Sequence, residues 1–242
     1  WSVTLDDGDT WNQLSLIDTD IDYLSDVAVS PDCNKTFLVS VNVEEGGNGG
    51  PTEYCGCDSV WLYAENLPEA EEYSGKWLRT WCDLLEGDNG PDTSGMFPEY
   101  GLLRLAPEET TGDTVFLIDR MSGNVYWNDL ETLACWDPIA STVLTDIVDL
   151  AAQDADTLFA LDASGDVAMF DDDEWQEEVA SEVDDGWTIA VNGDYILVGN
   201  KEGEVSYSDD GGETFTGLDE PTPIEGYVTV AFDTYFDSND TI

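Results

Sequence analysis

Carboxylates are the one reactive group this sequence supplies in excess. It sets 55 Asp and Glu against six Lys and Arg and no His, for a formal net charge of -49. Paired carboxylates can work as general acid and base, but in so acidic a chain many pairs arise by chance and none marks a site. The absence of His removes the Ser-His-Asp triad, the Cys-His nucleophile and mixed Cys/His zinc sites. No glycine-rich phosphate loop leads into a helical pattern. Hard-cation binding is chemistry the composition does allow, because Ca2+ takes about 6–8 oxygen ligands, backbone carbonyls included. Asp171-Asp172-Asp173-Glu174, Asp184-Asp185, Asp6-Asp7-Gly8-Asp9 and Asp209-Asp210 all place such oxygens among turn residues. Asp171, Asp172 and Asp173 are the leading trio for Ca2+. None of the clusters has EF-hand spacing, and a solvated acidic turn is the simpler reading of any one of them.

The five cysteines, Cys33, Cys55, Cys57, Cys82 and Cys135, are too irregularly spaced for a zinc ribbon and point to disulfides in an oxidising compartment. Their odd number leaves at least one thiol free or paired elsewhere. Cys55 and Cys57 share a loop insertion, from which a bridge to Cys33 is the natural candidate. Two sequons, at Asn34 and Asn239, suit an extracellular or cell-surface protein. Their Thr36 and Thr241 also occupy repeat positions, which is the better account of those residues. Nine Trp, ten Tyr and eight Phe supply more aromatic mass than an acidic disordered chain carries, so a packed interior under an acidic skin is expected. That skin repels phosphate backbones and anionic membranes, so the sequence predicts no nucleic acid partner. No apolar run approaches the ~18 to 20 residues of a membrane helix, so no membrane insertion is expected of this segment.

The elements that would position these groups are strands. Short β-branched and aromatic runs recur between Gly, Asp, Asn and Pro turns, and no apolar stripe of helical period persists. A polar residue, then Thr, then an apolar run opens one strand type, at Thr36, Thr114, Thr157 and Thr241, with Tyr195 in the same place. After a long first interval these recur at roughly the 40 to 50 residue period of propeller blades. The long interval holds the Gly-rich insertion 44–58 and the loop 86–100. Four strands per repeat are legible, as in Trp187 to Val191, Tyr195 to Val198, Glu204 to Ser208 and Thr214 to Leu218; the preceding repeat is read as ending on an outer strand from Trp175 to Ala180, and the tail as a strand from Tyr227 to Phe232. Residues 1–242 thus read as an all-β β-propeller unit or a segment of one. The blades fall at 24–85 (with the insertion), 101–141, 143–181 and 186–218, with partial blades at 1–20 and 226–242. A lone blade cannot bury both faces, so the blades must stack radially. Both chain ends fall at nearly the same phase of the repeat, which predicts about five blades here. A run cut from a larger ring is preferred to closure of the two partial blades on each other.

Two stretches carry a resemblance. Ser208-Asp209-Asp210-Gly211-Gly212-Glu213-Thr214-Phe215 matches the Asp-box pattern Ser/Thr-x-Asp-x-Gly-x-Thr-Trp/Phe, and Thr4-Leu5-Asp6-Asp7-Gly8-Asp9-Thr10-Trp11 matches it again. The chain therefore resembles the Asp-box, or BNR-repeat, propellers found in sialidase-like and cell-surface repeat proteins. The physics of the pattern is that of a hairpin between third and fourth strands. Asp and Gly tolerate the turn, the carboxylate accepts backbone N–H groups, and the aromatic ring plugs into the next strand. Thr4, Asp6, Gly8, Thr10 and Trp11, with Ser208, Asp210, Gly212, Thr214 and Phe215, are accordingly expected to be structural. The other repeats lack the pattern.

A resemblance to sialidases would imply an arginine cluster gripping a substrate carboxylate. Only Arg79, Arg104 and Arg120 are available, on an outer strand, an inner strand and a turn, and propeller geometry keeps them apart. No catalytic residue is assigned. The expectation is a non-enzymatic structural or interaction module at a cell surface, in a surface layer or in a filament, binding other protein chains or copies of itself. Its acidity fits either high-salt adaptation or Ca2+-bridged assembly. The alternative is a carbohydrate-binding or sialidase-like glycoside hydrolase propeller, its glycan site walled by the insertions with Tyr54, Phe97 and Tyr100.

Overall fold

Strand formation follows the apolar runs, because β-branched and aromatic segments too short for a helix satisfy their backbone groups by pairing with neighbours. A computed structural model describes residues 2–3, 12–13, 23–29, 37–42, 59–64, 74–82, 101–106, 114–118, 124–129, 136–139, 142–171, 173–218, 226–233 and 236. Within them β1 (Ser2–Val3) and β2 (Asn12–Gln13) form a short antiparallel hairpin. The first blade-like sheet is β3 (Tyr23–Val29), β4 (Phe37–Asn42), β5 (Ser59–Ala64) and β6 (Lys76–Cys82). The second is β7 (Leu102–Leu105), β8 (Thr114–Ile118), β9 (Val125–Asp129) and β10 (Asp137–Pro138). The third holds β11 (Ile147–Ala152), β12 (Leu158–Asp162), β13 (Asp166–Asp171), β14 (Glu174–Trp175) and β15 (Val179–Ala180). The fourth is β16 (Gly186–Asn192), β17 (Tyr195–Asn200), β18 (Val205–Ser208) and β19 (Thr216–Gly217). Each sheet is an antiparallel meander in chain order, and the first strands β3, β7, β11 and β16 lie side by side in succession.

The core sits between sheets rather than within one. Leu38, Val60 and Leu62 of the first pack with Leu103, Leu117 and Trp136 of the second. Phe116 and Ile118 of the second pack with Leu150, Leu158 and Phe170 of the third. Phe159, Leu161 and Val167 of the third meet Ile189, Ile196 and Phe215 of the fourth. Burial of one such side chain is worth about 1.5–3 kcal/mol, against at most about 1 kcal/mol for an exposed ion pair, so sheet stacking dominates the stability. It also explains why the second strands β8, β12 and β17 are apolar runs without alternation: a neighbour covers each of their faces, and Leu158 to Asp162 are all buried.

Two expectations need correction. The outer strand read as Trp175 to Ala180 is broken into β14 and β15, both paired with β13, with a shift of register between them. This bulge releases Glu177 and Glu178 to solvent while Trp175 keeps its ring on Phe170, at a centroid distance of 5.4 Å. The tail read as a strand from Tyr227 to Phe232 joins no ladder among the described residues. It is tied to the end of β17 instead, with the Val228 N–H donating to the Asn200 carbonyl at 2.9 Å. Tyr227 packs on Trp187 of β16, and beyond the tail Phe236 packs on Tyr195 of β17.

Candidate functional site

The turn between β18 and β19 concentrates the polar groups of the Ser208 to Phe215 stretch into one hydrogen-bonded knot. Ser208 Oγ donates to Asp210 Oδ1 at 2.7 Å and accepts the N–H groups of Gly212 at 2.9 Å and Asp210 at 3.3 Å. Asp210 accepts the Thr214 N–H on Oδ1 at 2.9 Å and the Thr214 hydroxyl on Oδ2 at 2.6 Å. With every contact favouring the anion, the Thr214 hydroxyl and N–H first and the Ser208 hydroxyl after them, the Asp210 carboxyl is pulled down to about 2.

Glycine is required in this turn twice over. Gly211 and Gly212 have φ of 77° and 91°, and a Cβ on Gly212 would lie 3.1 Å from Ile196 Cδ1 and 3.4 Å from Phe159 Cε1. Phe215 then buries its ring with Phe159 and Leu161 of the preceding sheet, so the turn is bolted across the interface between sheets. Thr4, Asp6, Gly8, Thr10 and Trp11 lie outside the described residues, but their flanks pair in the same register: Val3 faces Asn12 as Tyr207 faces Thr216.

A second polar knot lies where the first strands meet. In β3, β11 and β16 the register shifts near the start of the strand, between Leu24 and Asp26, Ile147 and Asp149, and Gly186 and Thr188, and such bulges re-aim the side chains beside them. Asp26 Oδ2 accepts the Leu103 N–H of β7 at 2.9 Å, and Asp149 Oδ2 accepts the Ile189 N–H of β16 at 3.0 Å. Between them Arg104 donates to Asp26 Oδ2 at 2.8 Å, to Asp149 Oδ1, to the Leu103 carbonyl at 2.7 Å and to the Leu150 carbonyl at 2.9 Å. Burial alone would lower the Arg104 pKa, but Asp149 and then Asp26 outweigh it, so the guanidinium is held more firmly protonated than usual. Each first strand is thus tied to the next by a side chain reaching its backbone.

Composition hid this knot, because Asp26 and Asp149 are two among 55 acidic residues. A third device follows the same local spacing twice: Asp162 with Gly165, and Asn200 with Gly203, close the hairpins after the second strands. Asp162 Oδ1 accepts the N–H groups of Ser164 and Asp166 at 2.8 and 3.0 Å, and Asn200 Oδ1 those of Glu202 and Glu204 at 2.9 and 2.8 Å.

The remaining candidates are dispersed. Arg79 lies on β6 with its side chain outside the described residues, where Arg120 also lies. Asp171 ends β13 and Asp173 stands in a turn with φ of 65°, while Asp172 lies outside the described residues. Among the described residues no group of three or more Cys, Asp or Glu is placed to hold a metal ion. Cys82 ends β6 with its side chain undescribed; Cys33, Cys55, Cys57, Cys135, Asn34, Asn239, Tyr54, Phe97 and Tyr100 fall outside the described residues. No helix among the described residues is long and apolar enough to cross a membrane.

Radially adjacent meanders, with a core between each pair of sheets, define a propeller-like all-β protein. Solved structures share that architecture. YCF48 bound to D1 peptide is 13% identical, with a TM-score of 0.56 over 90% of this chain and 60% of that one. U3-55K is 11% identical, with a TM-score of 0.58 over 85% and 54%. A functionally unknown protein from Desulfotomaculum acetoxidans is 10% identical, with a TM-score of 0.51 over 84% and 60%. The chain therefore spans between 54% and 60% of the length of these structures. No protein-family profile and no curated protein matches it.

Proposed function

We propose that the chain is a non-enzymatic structural and interaction module of an extracellular or cell-surface protein, an Asp-box propeller whose acidic face meets other protein chains or copies of itself. The observation that carries this reading is where its reactive groups are spent. Arg104 is flanked by Asp26 and Asp149 and donates to two carbonyls besides, so its fork is already filled by the groups with which it would grip a substrate carboxylate. Asp210 is held ionised, whereas a general acid needs a raised pKa. The Asp-box assignment is supported by the knot from Ser208 to Phe215 and by the matching register of the β1–β2 hairpin. That YCF48 was solved with a peptide bound is in keeping with a propeller put to protein recognition. Ca2+ belongs to the proposal as a ligand of the acidic turns, with Asp171, Asp172 and Asp173 as its oxygen donors. Incubation with chromogenic glycosides, sialosides among them, should yield no product above the buffer blank. Turnover that Arg104→Ala abolishes would overturn the reading in favour of a sialidase-like hydrolase.

A further inference from the structure

We propose that the groove between the second and third sheets is a docking site for a basic segment of a partner protein, which inserts one aliphatic or aromatic side chain between flanking Lys or Arg residues. This rests on the interaction-module reading above and gives it a place and a partner chemistry.

The groove encloses about 370 Å3, near the lower end of the ~300–1,000 Å3 of ligand sites, which is room for a large side chain and part of its neighbour. Its floor is Phe116 of β8 and Phe170 of β13, both buried and contributed by the two facing sheets. Trp127 and Ile139 also line it, and the exposed Asp156 and Asp173 complete the lining and mark its solvent side, the mouth. Trp127 departs from the pattern of its strand. It faces Phe116 across the ladder and shares a face with buried Val125, yet it remains 37% exposed. A tryptophan left open over a preformed apolar floor is the arrangement in which interface hot spots concentrate, because one inserted side chain gains a desolvated pocket at little ordering cost.

The charges choose the occupant. Asp156 and Asp173 are both exposed, and neither carboxylate has a hydrogen-bond or ion-pair partner among the described residues. The Asp154 carboxylate beside them is used within its own turn, accepting the N–H groups of Asp156 and Thr157 at 2.9 and 2.8 Å. A net charge of -49 steers cationic partners inward and turns acidic ones away. An apolar anchor between basic residues satisfies both the floor and the mouth.

The test is a 15N NMR titration of the full chain, with chelator present so that no Ca2+ holds Asp173, with three capped pentapeptides: a central Leu flanked by Arg on both sides, the same peptide with Ser for Leu, and the same with Glu for Arg. The Leu–Arg peptide should shift the Trp127 indole N–H and the Ile139 and Phe170 amides, and bind at least about tenfold more tightly than either control. Trp127→Ala and, separately, the surface pair Asp156→Asn with Asp173→Asn should each weaken it by about tenfold. Equal binding of the Ser or Glu peptide, binding undiminished in both variants, or no binding would overturn the groove as a docking site. Shifts that map to another face remove the groove but leave an interaction module standing, whereas glycoside turnover removes the module reading itself.

Discussion

Asp210 and Asp162 both close hairpins by accepting backbone N–H groups, yet their protons are held in opposite ways. Asp210 is exposed and surrounded by donors, so its carboxyl sits at about 2. A folded pKa below the ordinary 3.8 contributes stability that is complete above that value and lost as the pH falls toward 2. Denaturant melts should therefore show Asp210→Asn less stable than the parent at pH 6, with the gap closing as both are taken toward pH 2. At Asp162 burial dominates over the N–H groups of Asp166 and Ser164, and the pKa is raised. A raised acid carries a penalty when ionised, present at neutral pH and absent once the group is protonated. Asn200 performs the same closure in the next sheet without a charge. Asp162→Asn should accordingly be neutral to stabilising at pH 7 in the same melts, with any gain vanishing on acidification.

At the scale of elements, the Asp26–Arg104–Asp149 knot converts side-by-side packing of β3, β7, β11 and β16 into a fixed alignment. Arg104→Met would leave two partly buried carboxylates facing each other. Because the Arg104 and Asp26 side chains retain 31% and 22% exposure, the low end of the range for a broken buried pair applies, about 3 kcal/mol of lost stability. Adding Asp26→Asn and Asp149→Asn to Arg104→Met should restore part of it, since the amides can still accept the Leu103 and Ile189 N–H groups while the repulsion is gone. Failure to recover would assign the loss to packing of the arginine stem.

The strands themselves were legible because each is an apolar run between turn formers, and the Ser208 to Phe215 turn because its residues are consecutive. The central knot was not, since Asp26 and Arg104 lie far apart in the chain and no local pattern announces their meeting. Nor was the break between β14 and β15, where the polar residues 176–178 follow Trp175 without a Gly or Pro to mark the bulge. The groove under Trp127 is hidden for a similar reason: alternation along β9 puts Trp127 on the face of buried Val125, and only the spacing of two sheets decides that its ring stays open.

Over the whole molecule, a charge of -49 opposes compactness through self-repulsion, which the apolar cores between sheets must offset. Screening shortens that repulsion to about 3 Å at molar salt. Melting temperature should then rise steadily with NaCl into the molar range. Millimolar Ca2+ should raise it beyond NaCl of equal ionic strength, and chelator should reverse the difference, if the acidic turns bind the ion as proposed. Identical curves at matched ionic strength would remove Ca2+ from the account and leave the acidity to salt adaptation.

The claim on which the rest depends is that carboxylates in this chain fasten turns and strands instead of reacting. Following the Asp210 side-chain carboxyl carbon by NMR through an acid titration tests it at the residue that states it most sharply. A midpoint at about 2 is expected, moving up when Thr214→Val removes the hydroxyl donor. A midpoint at or above the ordinary ~4 of a solvated aspartate would contradict it.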